Sequence, residues 1–465
     1  MRILFVFRSI NLISYYRSIV EELCGRGHEV KVFFDKKWSK RDRFGAAEVL
    51  AEMKENNARF DYELVESSRG FSRHILSPLR EIRNYRRYLI VGGQSDFYRR
   101  DWINFLPRRA RPFLLKKNSF ANRIIKNRVA GFMLGLVENI GPADSQIKTK
   151  LTTLKPNAVV VSPANMRHSS ADTEYLKAAK ALGIPSIVSV MSWDNLTVRG
   201  IIPVVPDIVL VWNAAQQEEA MKHHSIPREK IRLIGSPLFD AWFRELKPSI
   251  SREEFCRENN LKSDWPYILY LGSSKNIAEN EVWLIKDLRK ALDNSTDQLV
   301  RAIQIAVRPH PSNYQIYENI ESDGVIIVPK KGMLPATADA RQFFYDSLYY
   351  SIGTVGINTS GMIDALILDK PGVAIMTDKY RETQLEAVHF QQFLKEGCLL
   401  VAKSPEHFRE LVENLLEGKD DKMEQRRAFV KNYIRPLGLN VSAGMRAAEE
   451  IELIAVGAVK QLNIL

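Results

Sequence analysis

At 465 residues the chain is too long for one ordinary domain, and two domains of roughly 200 residues each are the expectation. With 45% hydrophobic and 26% charged residues it reads as globular, which excludes a disordered chain and a membrane bundle. No apolar run approaches the ~18–20 residues that span a bilayer; the best, Ile201 to Trp212, is broken by Pro203, Pro206 and Asp207.

Ile3–Phe7 reads as a first buried strand, its apolar run being too short for a signal peptide. A helix over Tyr15–Cys24, Gly27 and a strand over Glu29–Phe34 follow. After a strongly basic block come a strand at Ala158–Val161, a helix at Asp172–Leu182 and the stop Gly183-Ile184-Pro185. Strands at Ser186–Met191, Asp207–Trp212 and Lys230–Ile234 complete this half, with a helix at Gln216–His223. A less regular stretch near Lys247–Asp264 separates a second series. Its strands are Tyr267–Leu271, Ile303–Val307, Gly324–Val328, Ser351–Val355 and Val373–Met376. Its helices are Asn280–Leu292, Ala338–Tyr350, Thr359–Leu368 and Glu406–Leu416, before a helical tail. Short apolar runs alternating with helices predict two doubly wound parallel sheets, an α/β class. Cys24, Cys256 and Cys398 are far apart and odd in number, which favours a reducing cytosol over a disulfide frame or a zinc site.

The net charge of +12 is uneven. Residues 69–128 carry sixteen Lys/Arg against Glu81, Asp96 and Asp101, a balance of +13, so the remainder is near neutral. This block is expected as a surface insertion that needs an anionic partner. Its cations alternate with Phe97, Trp102, Phe105, Phe113 and Phe120, which suits an anionic membrane surface; no nucleic-acid module is visible. Arg108, Arg109, Arg111, Lys116 and Lys117 are the candidate membrane cations. The plainer reading is a solvated basic face.

Ligands of open parallel sheets bind beyond the carboxyl ends of the strands. Gly272-Ser273-Ser274 ends one strand with a small residue and two hydroxyls, a phosphate turn or an ordinary one. Arg308 and His310, in Arg308-Pro309-His310-Pro311, end the next and can donate to phosphate oxygens. Asn358, Thr359 and Ser360 stand where a third strand turns into a helix, so hydroxyls and N–H groups converge there; the plainer reading of Thr359-Ser360 is an N-cap. Asp364 lies one helical turn after Ser360. In the first half, Ser192-Trp193-Asp194-Asn195 follows a buried strand, and Asp194 is a candidate general base. The alternative is an Asx-turn with Trp193 in the core. Arg8, Ser9 and Asn11 follow the first strand, and Asn165, Arg167 and His168 another. Gln384 and His389 could reach a ligand or sit on a surface helix. His223 and His224 diverge by ~100° on a helix and do not make a metal pair. There is no Asp-x-Asp, P-loop or Gly-x-Gly-x-x-Gly, so neither a metal-dependent transfer nor an NAD site is supported.

The His-Pro element followed by the Thr359-Ser360 turn resembles the donor site of GT-B-fold glycosyltransferases: sialyl-, Kdo- and CDP-glycerol glycerophosphate-transferases. It is more distantly similar to the UDP-GlcNAc 2-epimerases. The resemblance implies two Rossmann-like domains facing across a cleft, with a C-terminal helix crossing back. It divides the chain into an acceptor-side domain at 1–245 with the insertion 69–128, a nucleotide-binding domain at 265–425 and a helical tail at 426–465. It implies transfer of a sugar or polyol phosphate from a CMP-, CDP- or UDP-linked donor to a lipid-linked or growing cell-surface glycan. No permanently bound cofactor, metal or nucleic acid is expected, and the protein would sit on the inner face of the cytoplasmic membrane. Asp364 would accept from ribose hydroxyls; Arg8, Asn11, Trp193, Asn195 and His389 would line the acceptor side. Two alternatives stay open: a nucleotide-sugar 2-epimerase, whose paired acidic residues have no evident match here, and a non-catalytic GT-B-like protein that docks on membrane.

Overall fold

The computed structural model describes residues 1–42, 45–67, 71–91, 95–116, 118–168, 170–244 and 246–462, with the backbone alone at 73 and 458–462. The chain divides into two compact units, Met1–Asp240 with Tyr433–Leu465, and Ala241–Asn432. Residues 426–432 thus stay with the second unit.

The first unit is built on seven strands: β1 (Arg2–Phe7), β2 (Glu29–Asp35), β3 (Phe60–Val65), β4 (Ala158–Ser162), β5 (Ser186–Ser189), β6 (Ile208–Val211) and β7 (Ile231–Leu233). Their order is β3-β2-β1-β4-β5-β6-β7, and every pair is parallel. Ile3 to Phe7 are wholly buried because helices cover both faces, which is why the run is apolar without alternation. One face packs against helices Ile13–Gly25, Ala46–Asn56 and Ala443–Leu462; the other packs against Ser145–Leu154 and Ala171–Ala181. The C-terminal helix is anchored by Asp240, which accepts from the N–H groups of Ala443 (3.0 Å) and Gly444 (2.8 Å) and pairs with Arg435. A side chain at Gly444 would meet the Ser18 backbone at 2.8 Å, so only glycine lets this helix approach so closely.

The second unit holds β8 (Tyr267–Leu271), β9 (Gln304–Arg308), β10 (Val325–Ile327), β11 (Thr354–Gly356), β12 (Gly372–Ile375) and β13 (Leu400–Ala402). The order is β10-β9-β8-β11-β12-β13, again all parallel. In each sheet the strand order reverses beside the first strand, between β1 and β4 and between β8 and β11. Such switch points are where doubly wound sheets open a crevice for ligands.

The basic block enters between β3 and β4 and is more than a solvated loop. It folds into helices, including Ser77–Ile90, Asp96–Ile103, Phe120–Lys126 and Arg128–Ile140, with a core of their own around Tyr85, Tyr88, Trp102 and Leu106. These helices bind the loops beyond β4 and β5. Glu81 accepts from the His168 N–H (2.6 Å), Asn84 from the Ile201 N–H (2.9 Å), and Arg87 donates to the carbonyls of Thr197 and Arg199. Much of the positive excess is therefore internal. Arg80 is 4% exposed and bonds Glu138 and Glu174, while Arg99 pairs with Asp96. A buried guanidinium left unpaired would cost several kcal/mol, and these are held by carboxylates or carbonyls instead.

Candidate functional site

In the second unit the three strand-end segments come from neighbours. β9, β8 and β11 lie side by side, so at ~4.8 Å per strand their ends span roughly 10 Å. Gly272 is the point of closest approach. A Cβ there would lie 2.7 Å from Tyr317 Oη, 3.0 Å from Arg308 O and 3.1 Å from His310 N, so the turn after β8 fits directly against the His-Pro turn. The Gly-Ser-Ser turn is held from behind by Glu281, fully buried, which accepts from the Ser273 N–H and from the hydroxyls of Tyr270 and Tyr317. Ser273 Oγ is buried on the Glu281 side of the turn, and Ser274 is half-buried.

Arg308 is 5% exposed. Its guanidinium lies 4.1 Å above the Phe344 ring and donates to Met333 O, while its Nη1 has no hydrogen-bond partner among the described residues. Burial lowers it to about 9, with Asp364 pulling the other way, so it is charged at neutral pH. Asp364 is pushed up to about 8 by burial, against the pull of Arg308. At the expected ribose-binding carboxylate, burial thus outweighs the pull of Arg308 and favours the protonated form, which can donate as well as accept.

His310 is half-buried, and burial holds it down to about 4. Its Nδ1 accepts from the Ser312 N–H (3.1 Å). That bond puts the remaining proton on Nε2, making the neutral ring a donor. Gly332, with φ +61°, lies against this turn: its Cβ position is 2.4 Å from Pro309 O, so the loop after β10 covers the His-Pro element only because no side chain is there.

The third segment separates into two roles. Ser360 is exposed and makes no capping bond, and the half-buried Thr359 offers Oγ1 to the Gly361 N–H at 3.4 Å. Asn358, by contrast, is 3% exposed and donates to Thr383 O (2.8 Å) and towards His389 Nε2 (3.3 Å). Asn358 and His389 brace the loop from inside, so His389 belongs behind the turn of residues 358–360 and is not the acceptor-side group expected of it. Gln384 is likewise structural, donating to the carbonyls of Ile357 and Ile375. The following helix, Gly361–Ile367, has only two turns.

In the first unit the switch point is occupied by Arg8, whose N–H bonds Ser162 O at 3.3 Å. The side chain is buried and spent on the carbonyls of Arg167 (2.8 Å) and His168 (3.0 Å), and it lies 3.7 Å over Trp38. It shapes the loop after β4 and is not a free ligand cation. His168 adopts φ +52°, stacks on Trp38 and meets Phe105 edge-on; Arg167 lies over Phe105 and pairs with Asp101 at 2.7 Å. Asn11 bonds Ser9 Oγ and Arg41 O, both at 3.0 Å, joining two loops. Asn195 is 1% exposed and its Nδ2 donates to Asn165 Oδ1 at 2.9 Å, while Asn165 Nδ2 donates back to the Asn195 carbonyl at 3.0 Å, so it is a structural pair and not an acceptor-binding group. Trp193 is buried. Asp194 remains half-buried, accepting from Ser192 Oγ (2.6 Å) with Arg199 at 3.9 Å. Tyr98, brought in by the basic block, is raised by burial and by the charge of Asp194. His224 bridges the Ile202 N–H and Leu196 O and is no metal ligand.

Of the candidate membrane cations, Arg108, Arg109 and Lys116 are exposed. Arg111 differs: its guanidinium closes a turn on Leu106 O (3.0 Å) and Asn104 O (2.6 Å). Lys117 lies outside the described residues, as does Arg69 at the start of the block. Sequence reasoning missed Glu281, Tyr317, Phe344 and Gly332, which set the three strand-end turns without themselves carrying a motif.

No family model matches the chain, and no curated protein matches it. Solved structures do. The UDP-GlcNAc 2-epimerase of Methanocaldococcus jannaschii aligns with a TM-score of 0.55 at 13% identity, over 97% of this chain and 100% of its own. The S. aureus MnaA–UDP structure aligns at 0.54 and 12% identity, over 100% and 97%. A further UDP-N-acetylglucosamine 2-epimerase aligns at 0.52 and 12%, over 98% and 96%. At such identities the likeness speaks to fold alone: the chain has the GT-B-like architecture of two Rossmann-like domains that these epimerases share.

Proposed function

We propose that the chain is a glycosyltransferase that moves a sugar, or a related polyol phosphate, from a nucleotide-activated donor to a lipid-linked or growing cell-surface glycan at the inner face of the cytoplasmic membrane. The observation that carries this reading is Arg308. It is a buried cation at a strand end whose Nη1 has no partner among the described residues, two residues from a neutral His310 whose Nε2 is a donor. An anionic ligand compensates such a group, and a phosphate matches both donors. Ser273, Thr359 and Ser360 supply further hydroxyls around the same three strand ends. Together they would stabilise the charge that develops on a departing nucleotide, in place of a metal ion.

In the first unit Asp194 serves as general base. The acceptor oxygen attacks the anomeric carbon, or the phosphorus of a polyol phosphate. Its proton passes to the Asp194 carboxylate, and the bond to the nucleotide phosphate breaks with its electron pair on the leaving oxygen. Calorimetric titration with CMP, CDP and UDP, in the presence of EDTA, tests the donor site. Micromolar-range binding of at least one, lost in Arg308→Gln, is the expected result; no binding of any would remove the reading.

The fold shared with UDP-GlcNAc 2-epimerases supports a second reading, in which the same phosphate site holds UDP-GlcNAc for inversion at C2. Proton NMR of UDP-GlcNAc incubated with the protein and no acceptor separates the two, since only the isomerase yields the C2 epimer.

A further inference from the structure

The helix Arg128–Ile140 is folded inside out. Soluble helices turn their apolar stripe to the core. Here the inward face carries Gly131, Gly135 and Glu138. A Cβ on Gly131 would lie 2.6 Å from the Arg86 guanidinium, and Glu138 is buried against Arg80 (2.7 Å) and Lys177 (3.0 Å). Val129, Phe132, Met133, Leu136 and Ile140 face outwards; Val129 and Phe132 are each 67% exposed and Ile140 73%. The preceding segment adds Phe113, Leu115, Phe120 and Ile124, with Phe120 78% exposed. Leaving so much apolar surface in water is unfavourable by about 25 cal/mol per Å², so the face is built to be covered.

Charge identifies what covers it. Residues 102–137 contain eight Lys/Arg and no Asp or Glu. Arg108, Arg109, Lys116, Arg123, Lys126 and Arg128 are exposed among the apolar side chains. We propose that this face is an interfacial docking surface for an anionic lipid bilayer, with the helix Arg128–Ile140 lying in the plane of the headgroups. At 13 residues it is about 20 Å long, suited to lie in the interface and too short to cross it. A second copy of the chain is a poor occupant, because a two-fold contact would set this cationic face against itself. The surface deepens the reading of a lipid-linked acceptor and rests on it only for its purpose; its geometry is independent of the donor site.

Flotation with vesicles of phosphatidylcholine, alone or mixed with phosphatidylglycerol, tests it on the full chain. Wild type floats only with the anionic vesicles, and salt releases it. The variant Phe132→Ser/Met133→Ser/Ile140→Ser, all at exposed positions, loses at least about tenfold in vesicle affinity. Arg123→Ser/Lys126→Ser/Arg128→Ser weakens binding and flattens its dependence on anionic lipid. Both keep wild-type CMP, CDP and UDP titrations, so loss of docking is distinguishable from failure of the donor site. An environment-sensitive dye on Phe132→Cys shifts to the blue on anionic vesicles. Three results would each overturn the proposal: wild type that ignores anionic vesicles, an apolar variant that floats like wild type, or a wild-type dimer that this variant dissolves while vesicles bind neither.

Discussion

At the scale of single residues, the donor-site reading turns on how His310 is prepared. Burial keeps it neutral, and the Ser312 N–H fixes which nitrogen holds the proton. A hydrogen bond to a charged phosphate contributes about 1.5–3 kcal/mol, so His310→Ala should weaken nucleotide binding by roughly tenfold or more. The matching nucleosides, which lack phosphate, should bind both proteins equally. Calorimetry on the pair measures this, and equal nucleotide affinity for wild type and variant would remove His310 from the site. Asp194 is the opposite case. It belongs to the first unit and the phosphate-binding turns to the second, so Asp194→Asn should leave nucleotide affinity alone and lower turnover by about 10²-fold, the size of a lost general base. Turnover near that of wild type would return Asp194 to the turn it forms with Ser192.

At the scale of elements, the proposed donor site is a junction of turns, and its tightest point is Gly272. Two of the three atoms that a Cβ would meet belong to the backbone of the His-Pro element and cannot step aside as a flexible side chain does. Gly272→Ala should therefore cost about 1–3 kcal/mol of stability. It should also weaken nucleotide binding by displacing His310, read by thermal melting and calorimetry; full affinity in a destabilised protein would separate the turn from the site. The sequence made the buried strands legible because a strand covered on both faces is a continuous apolar run, as Ile3–Phe7 and Tyr267–Leu271 are. It hid β3 and β13, while the other two edge strands, β7 and β10, were legible as apolar runs. Phe60–Val65 buries only its two ends, and Leu400–Ala402 has three residues. Arg308, His310, Thr359 and Ser360 could be read because strand ends and turn residues are local features. The bracing of Asn358 by His389, and of Asn195 by Asn165, could not, since each pair is about thirty residues apart in sequence. The basic block misled for a related reason: a cation count cannot distinguish Arg80, closed on two carboxylates, from Arg108 in solvent.

At the scale of the whole molecule, burial of ionisable groups makes stability depend on pH in a predictable sense. Burial raises Glu81 to about 7 and both Glu219 and Asp364 to about 8, so the folded chain holds protons that the unfolded chain releases near pH 4. A group raised in this way stabilises below its unfolded value, and that stability is lost as pH rises through the folded value. His223 and His310 are held down to about 4, and His224 lies well below its usual value. They act in reverse, removing stability as pH falls below about 6.5. Between pH 4.5 and 6.5 the two sets oppose each other, and the curve should be flat. Between pH 6.5 and 8 the carboxyls act alone. Urea midpoints should fall across that window, with a slope of up to about 1.4 kcal/mol per pH unit for each group. Glu219 lies in the first unit and Asp364 in the second, so Glu219→Gln should flatten only the transition of the first, and Asp364→Asn only that of the second. A wild-type midpoint that rises from pH 6.5 to 8 would mean that these carboxyls are ionised throughout, and that the site around Arg308 is wetter than its burial implies.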